Sequence, residues 1–138
     1  MTQQSKLSKI LLAMLFCGSV VLASGCSNEP PKGTVSGTVT FEGKPYSNAG
    51  VMFISLETGN GSGGDIKPDG SYALADPIPV GTYSVYFAPK AVELAPGAQP
   101  PPAYMDKTIP EKYWGEGSTD IKIDVKEGPN VVPIDITR

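Results

Sequence analysis

The chain has 138 residues, 11 basic against 14 acidic, two cysteines and no histidine, which leaves room for one domain. The missing histidine excludes histidine-based catalytic triads and histidine metal sites. A net charge of −3 gives no electrostatic footprint for nucleic acid and no polybasic patch for an anionic membrane.

Residues 1–25 read as a processing segment. Lys6 and Lys9 give a positive start with no acid nearby, Ile10 to Phe16 (ILLAMLF) is apolar, and small residues follow up to Gly25. Charge, apolar core and small residues in that order are what a secretory signal needs. The apolar run is broken by Gly18, Ser19 and Ser24, and a bilayer span wants about 20 mainly apolar residues. An export signal is therefore the expected reading, with a retained transmembrane anchor as its alternative.

The run Leu22-Ala23-Ser24-Gly25-Cys26 resembles the lipobox of bacterial lipoproteins, with Ala23 where that family usually carries leucine. The resemblance implies that the Cys26 thiol is lipidated, that the bond before it is cut, and that Cys26 anchors the protein to a membrane. An ordinary signal cut beside an unrelated cysteine is the alternative. Each acyl methylene buried in lipid contributes about 0.8 kcal/mol, so several chains anchor firmly where one is marginal. Cys17 then leaves with the signal, so the exported part holds no disulfide and must be stabilised by its core. Removing Lys6 and Lys9, and no acid, takes the net charge from −3 to −5. Residues 26–33, including Pro30-Pro31, form the expected lipidated tether. Ser27 is not the aspartate that holds some lipoproteins at an inner membrane, which favours the outer membrane or the periplasmic face of the envelope.

From Thr34 onward the pattern changes to period two. Val35, Val39 and Phe41 alternate with Ser36, Thr38 and Thr40, as in a half-buried strand. Glu42 to Pro45 supplies a turn. Val51 to Leu56 (VMFISL) is apolar on both faces and predicts a central strand, and Gly59 to Gly64 (GNGSGG) predicts a flexible loop. Pro68-Asp69-Gly70 turns the chain into Ser71–Ala75. Thr82 to Ala88 places Tyr83, Val85 and Phe87 inward, and Ile121, Ile123 and Val125 share one face of a later strand. Gly128-Pro129-Asn130 predicts a turn, after which Val132, Ile134 and Ile136 point inward. Six or seven short strands with Gly/Pro turns and no helical period predict an all-β sandwich over residues 34–138.

Gly37-Thr38-Val39, Gly43-Lys44-Pro45 and Ala49-Gly50-Val51, then Asp69 to Tyr72 and Pro79 to Val85, resemble the motifs of the carboxypeptidase regulatory-like domain. Ile109 to Tyr113 and the ending Val125 to Ile136 are similar to small bacterial lipoproteins carrying one such domain. The resemblance implies a seven-stranded, transthyretin-like Greek-key sandwich with no fixed chemistry of its own. The motif residues also have structural reasons to be there, since Asp-Gly suits a tight turn and large tyrosine rings fill a thin core.

Catalytic and metal readings fare poorly. Asp65 and Asp69 lack the alternating acids and closing glutamate of a calcium loop. Transthyretin-like hydrolases depend on histidines that are absent here. Lys44 lies in a turn, where an isopeptide-forming lysine would need burial. No cofactor, metal or catalytic residue is assigned, and a hydrolase is the least favoured reading. Pro89 to Lys112 is a long connection holding Pro96, Pro100, Pro101 and Pro102, and loops of that length are usually functional or disordered. Tyr104, Tyr113 and Trp114 at its end are the candidate binding residues. Either Ile109 and Tyr113 tuck the loop down while Trp114 covers an edge, or the aromatics form a platform for a sugar or protein. The expectation is a membrane-anchored, non-catalytic structural or binding domain whose partner is an envelope protein or a glycan, with a carbohydrate-binding module as the alternative.

Overall fold

A computed structural model describes residues 29–90, 93–99 and 101–138. The expected signal segment and the Cys26 lipidation site lie outside these residues.

Among the described residues, ten strands and one 3-10 turn follow in chain order: β1 (Lys32–Phe41), β2 (Lys44–Pro45), β3 (Gly50–Ile54), β4 (Gly61–Asp65), β5 (Ser71–Ala73), β6 (Ile78–Pro79), β7 (Gly81–Ala88), the 3-10 turn Glu111–Trp114, β8 (Lys122–Val125), β9 (Gly128–Val131) and β10 (Ile134–Ile136). They form two sheets. One is antiparallel, in the order β4-β3-β7-β8. The other is built around β1, the longest strand. Along one edge β1 pairs antiparallel with β6, β5 and β2 in turn; along its other edge it pairs parallel with β9 and then β10.

The alternation read from the sequence sets the core. Val35 and Val39 of β1, Val51 and Phe53 of β3, Tyr83, Val85 and Phe87 of β7, and Ile134 and Ile136 of β10 are all buried between the sheets. Each such side chain contributes roughly 1.5–3 kcal/mol over an exposed one. Tyr83 is 1% exposed, and its hydroxyl donates to the Pro79 carbonyl at 2.8 Å. That bond ties the first turn of β7 to the segment before it, the same device as the tyrosine corner of immunoglobulin-type sandwiches. Tyr72 donates to the Val132 carbonyl at 2.8 Å, joining β5 to the chain between β9 and β10 across β1. This crossing explains Gly37: a Cβ there would stand 1.9 Å from the Val132 carbonyl oxygen and 3.1 Å from the Tyr72 ring.

Several local expectations change. Gly61 to Gly64 of the expected flexible loop belong to strand β4. Its glycines are where the two sheets come together, since a Cβ on Gly64 would lie 2.0 Å from the Ala73 carbonyl and Ala75 N–H donates to Gly63 O at 3.0 Å. Gly128 to Asn130, expected as a turn, belong to strand β9 (Gly128–Val131) along β1. Asn130 supports it by donating to the Lys126 carbonyl at 2.7 Å and accepting from the Lys126 amide at 2.9 Å. Strand β1 begins at Lys32, so Lys32 and Gly33 of the expected tether pair with β6 and β9. The VMFISL strand stops at Ile54, and Leu56 is exposed. Of the turn expected over Glu42 to Pro45, Glu42-Gly43 holds, with positive φ of 48° and 77° that suit a two-residue hairpin, while Lys44 and Pro45 already pair with β1 as β2.

Candidate functional site

The connection from Pro89 leaves β7 and returns to the sandwich at Asp106. The described residues from Glu93 to Met105 are exposed. Asp106 then turns inward and is 4% exposed. Its Oδ1 accepts the Thr108 amide at 2.9 Å and the Thr108 hydroxyl. Its Oδ2 accepts Asn48 Nδ2 at 2.9 Å and, more weakly, the Tyr46 hydroxyl at 3.4 Å. The Thr108 hydroxyl, followed by Asn48, the Thr108 amide and Tyr46, holds the carboxyl below the usual carboxylate range, against the opposing effect of burial. Burial and the adjacent Asp106 charge push the Tyr46 hydroxyl up. A buried carboxylate costs free energy unless its oxygens are satisfied, and these four donors satisfy them. Asp106 is therefore a latch that fixes the end of the loop to the segment between β2 and β3.

Beyond the latch, Ile109 and Tyr113 enter the core. The Tyr113 ring meets Phe87 edge-on with centroids 6.5 Å apart, and Lys112 Nζ lies 4.6 Å from the Tyr113 centroid while pairing with Asp120 Oδ2 at 2.6 Å. The three candidate aromatics thus sit in three environments. Tyr113 is buried at 5% exposure, Trp114 is half-buried against the core, and Tyr104 is 69% exposed. Tyr104 and Trp114 border a common surface. Two shallow concavities, about 520 and 650 Å³, share Met105, Asp106, Lys107, Thr108 and Arg138; Trp114 and Glu111 border the first, Tyr104 the second. Both volumes fall in the range of small-ligand sites. Met105, between the two aromatics in the lining, is 51% exposed. Arg138 reaches this surface from the far end of the chain, its guanidinium 5.8 Å from the Phe41 ring centroid and 3.9 Å from Glu42 Oε1.

Sequence reasoning singled out Tyr104 and Trp114 but missed Asp106, Met105, Lys107 and Arg138. The first three lie one to three residues after Tyr104, and no residue spacing signals that Arg138 joins them. It also missed a cross-strand pair in which Lys122 Nζ donates to Ser84 Oγ at 2.5 Å. Ser84 is a buried residue of β7, which closes its hydroxyl to an incoming carbonyl. Among the described residues, no group of three or more acids, cysteines or histidines is placed to hold a metal ion, and no helix is long and apolar enough to cross a membrane.

The described chain is thus an all-β sandwich with an irregular, aromatic-bearing loop latched to one end. No family model and no curated protein matches it. Among solved structures, a DUF3823 family protein from Parabacteroides merdae is similar at 14% identity with a TM-score of 0.45, over 79% of this chain and 47% of that one.

Proposed function

We propose that this chain is a non-catalytic binding domain, held on the outer side of a membrane through lipidated Cys26, whose ligand surface is the Tyr104–Trp114 end of the long loop. One observation carries the reading: Tyr104 and Met105 are exposed apolar side chains next in sequence to the satisfied Asp106 latch, Tyr104 bordering one concavity and Met105 both. An ordered apolar surface bordering a concavity is the usual form of a ligand site. The polar groups elsewhere have structural work, as with Tyr72, Tyr83 and Thr119, whose hydroxyls donate to backbone carbonyls.

The finer fold reading is the seven-stranded, transthyretin-like Greek-key sandwich of carboxypeptidase regulatory-like domains. What supports it is the width of the sheets: three ribbon positions around β1 and four in the antiparallel sheet make seven. A glycan ligand is favoured over a flat protein interface because the surface is concave and flanked by two aromatic rings.

The test has two arms. Trp114 is the single tryptophan, so its emission reports this surface alone. Titration with envelope polysaccharides should give a saturable shift that Tyr104→Ala weakens; no shift with any of them would remove the binding reading. Separately, Cys26→Ser should abolish labelling by an alkynyl fatty acid and release the protein from the membrane fraction. Equal membrane partitioning of both forms, with neither labelled, would remove the anchor.

A further inference from the structure

We infer that the ligand of this surface is a polysaccharide carrying anionic groups, held across two adjacent subsites with its charge between them. This rests on the binding reading above and adds the chemical class. The two concavities share Lys107 and Arg138, and each has its own aromatic, Trp114 in one and Tyr104 in the other. A pyranose presents an apolar C–H face to an aromatic ring, so two rings at neighbouring subsites fit two units of a chain. The shared region then faces the bond between those units and their substituents.

The free polar groups there favour an anion. Lys107 and Arg138 are both exposed. Two carboxylates also belong to the lining, Asp106 and Glu111. Asp106 is turned inward and its oxygens already accept from Thr108, Asn48 and Tyr46, so it has no acceptor left to offer. Glu111 borders only the Trp114 side and is absent from the Tyr104 subsite. Arg138 has one competing acid, Glu42, at 3.9 Å, a weak and solvent-exposed pairing that a ligand can displace. The Tyr104 subsite therefore combines an exposed ring with two cations against one carboxylate, Asp106, whose oxygens are taken up by Thr108, Asn48 and Tyr46, on a domain whose overall charge is acidic. A guanidinium presents a planar fork matched to carboxylates and to sulfate-like oxyanions alike, and an ammonium serves as a point charge.

The test titrates the full-length chain, in neutral detergent, with polygalacturonate, dextran sulfate, neutral dextran and polyglutamate, following Trp114 emission. Saturable binding to polygalacturonate or dextran sulfate, with neutral dextran inert, is the expected result, and which of the two binds names the anion as sugar carboxylate or sulfate ester. Lys107→Gln and Arg138→Gln should each weaken it by about tenfold or more, the loss expected for a hydrogen bond to a charged group. Glu111→Gln removes an acid from the lining and should tighten it; weaker binding by this variant would count against the anionic class. Raising the salt should weaken binding in all forms. Both cations are exposed, so each variant should keep the native near-ultraviolet circular dichroism, and either one suffices if the other does not fold. Equal binding of neutral dextran would overturn the anionic class while leaving the binding surface intact. Polyglutamate binding as tightly as the acidic sugars would overturn the sugar class in favour of an acidic peptide. No response to any of the four polymers would overturn both this inference and the glycan reading beneath it.

Discussion

The sandwich and the long loop are stabilised in different ways. Between the sheets, side chains such as Tyr83, Val85 and Phe87 are buried on every side, and the hydrogen bonds there run along strands. In the loop, the described residues from Glu93 to Met105 are exposed, and one carboxylate with four donors does the fixing. The first region gains its stability from area removed from water; the second gains its position from one satisfied polar cluster. The exposed stretch before the latch can change its sequence without disturbing the core, which is the arrangement a binding surface needs.

Four experiments sharpen or break that contrast. The largest effect belongs to Tyr83→Ala, which deletes a buried ring and its bond to Pro79. Aromatic truncation in a core costs about 3–5 kcal/mol, a large share of the roughly 5–15 kcal/mol that holds a domain together. Urea denaturation should show it, and an unchanged midpoint would mean that Tyr83 is not part of the core. Next comes Gly37→Ala, whose new methyl would meet the Val132 carbonyl and force the β1–β5 crossing apart. Overpacking of this kind costs about 1–3 kcal/mol, and a neutral result in the same denaturation assay would show that the two segments do not press together there.

Asp106→Asn tests the latch. The native carboxyl lies below its unfolded value, so it adds stability above the ordinary carboxylate range, and that stability is lost as the pH falls through the native value. The variant should lose about 1–3 kcal/mol near neutral pH, the cost of leaving buried partners mismatched, and less in acid. Asp69 and Asp120 are lowered as well, so the difference between the two pH profiles isolates Asp106. Parallel profiles would contradict the latch. The smallest effect is expected from deleting Glu93 to Pro102. Loop length enters closure entropy only logarithmically, so stability should change by less than about 1 kcal/mol. A larger loss would make the proline-rich segment a packed part of the fold.

The period-two pattern was enough to assign the buried faces of β1, β7, β8 and β10, because alternation along a strand is a local property that one side chain after another records. Tyr104 and Trp114 were legible for a similar reason, as large aromatics in a loop too long for its apparent purpose. Where the chain is glycine, that record is blank. Gly61 to Gly64 looked like loop, yet they belong to a strand, because backbone pairing with β3 decides it where no side chain can; Gly128 to Asn130 looked like a turn, yet pairing with β1 and the Asn130 bonds to Lys126 make it strand. Gly37 and Gly64 likewise show their necessity only when the Val132 and Ala73 carbonyls approach them. Asp106 finds Asn48 at a separation of 58 residues, and Arg138 reaches the same concavity as Lys107 from the last position in the chain. The sequence determined the all-β class and the inward faces, which depend on neighbouring residues. The tertiary structure alone decided the latch, the buried place of Tyr113 and the joining of two cations to two aromatics, since each depends on segments that meet only once the sheets have packed.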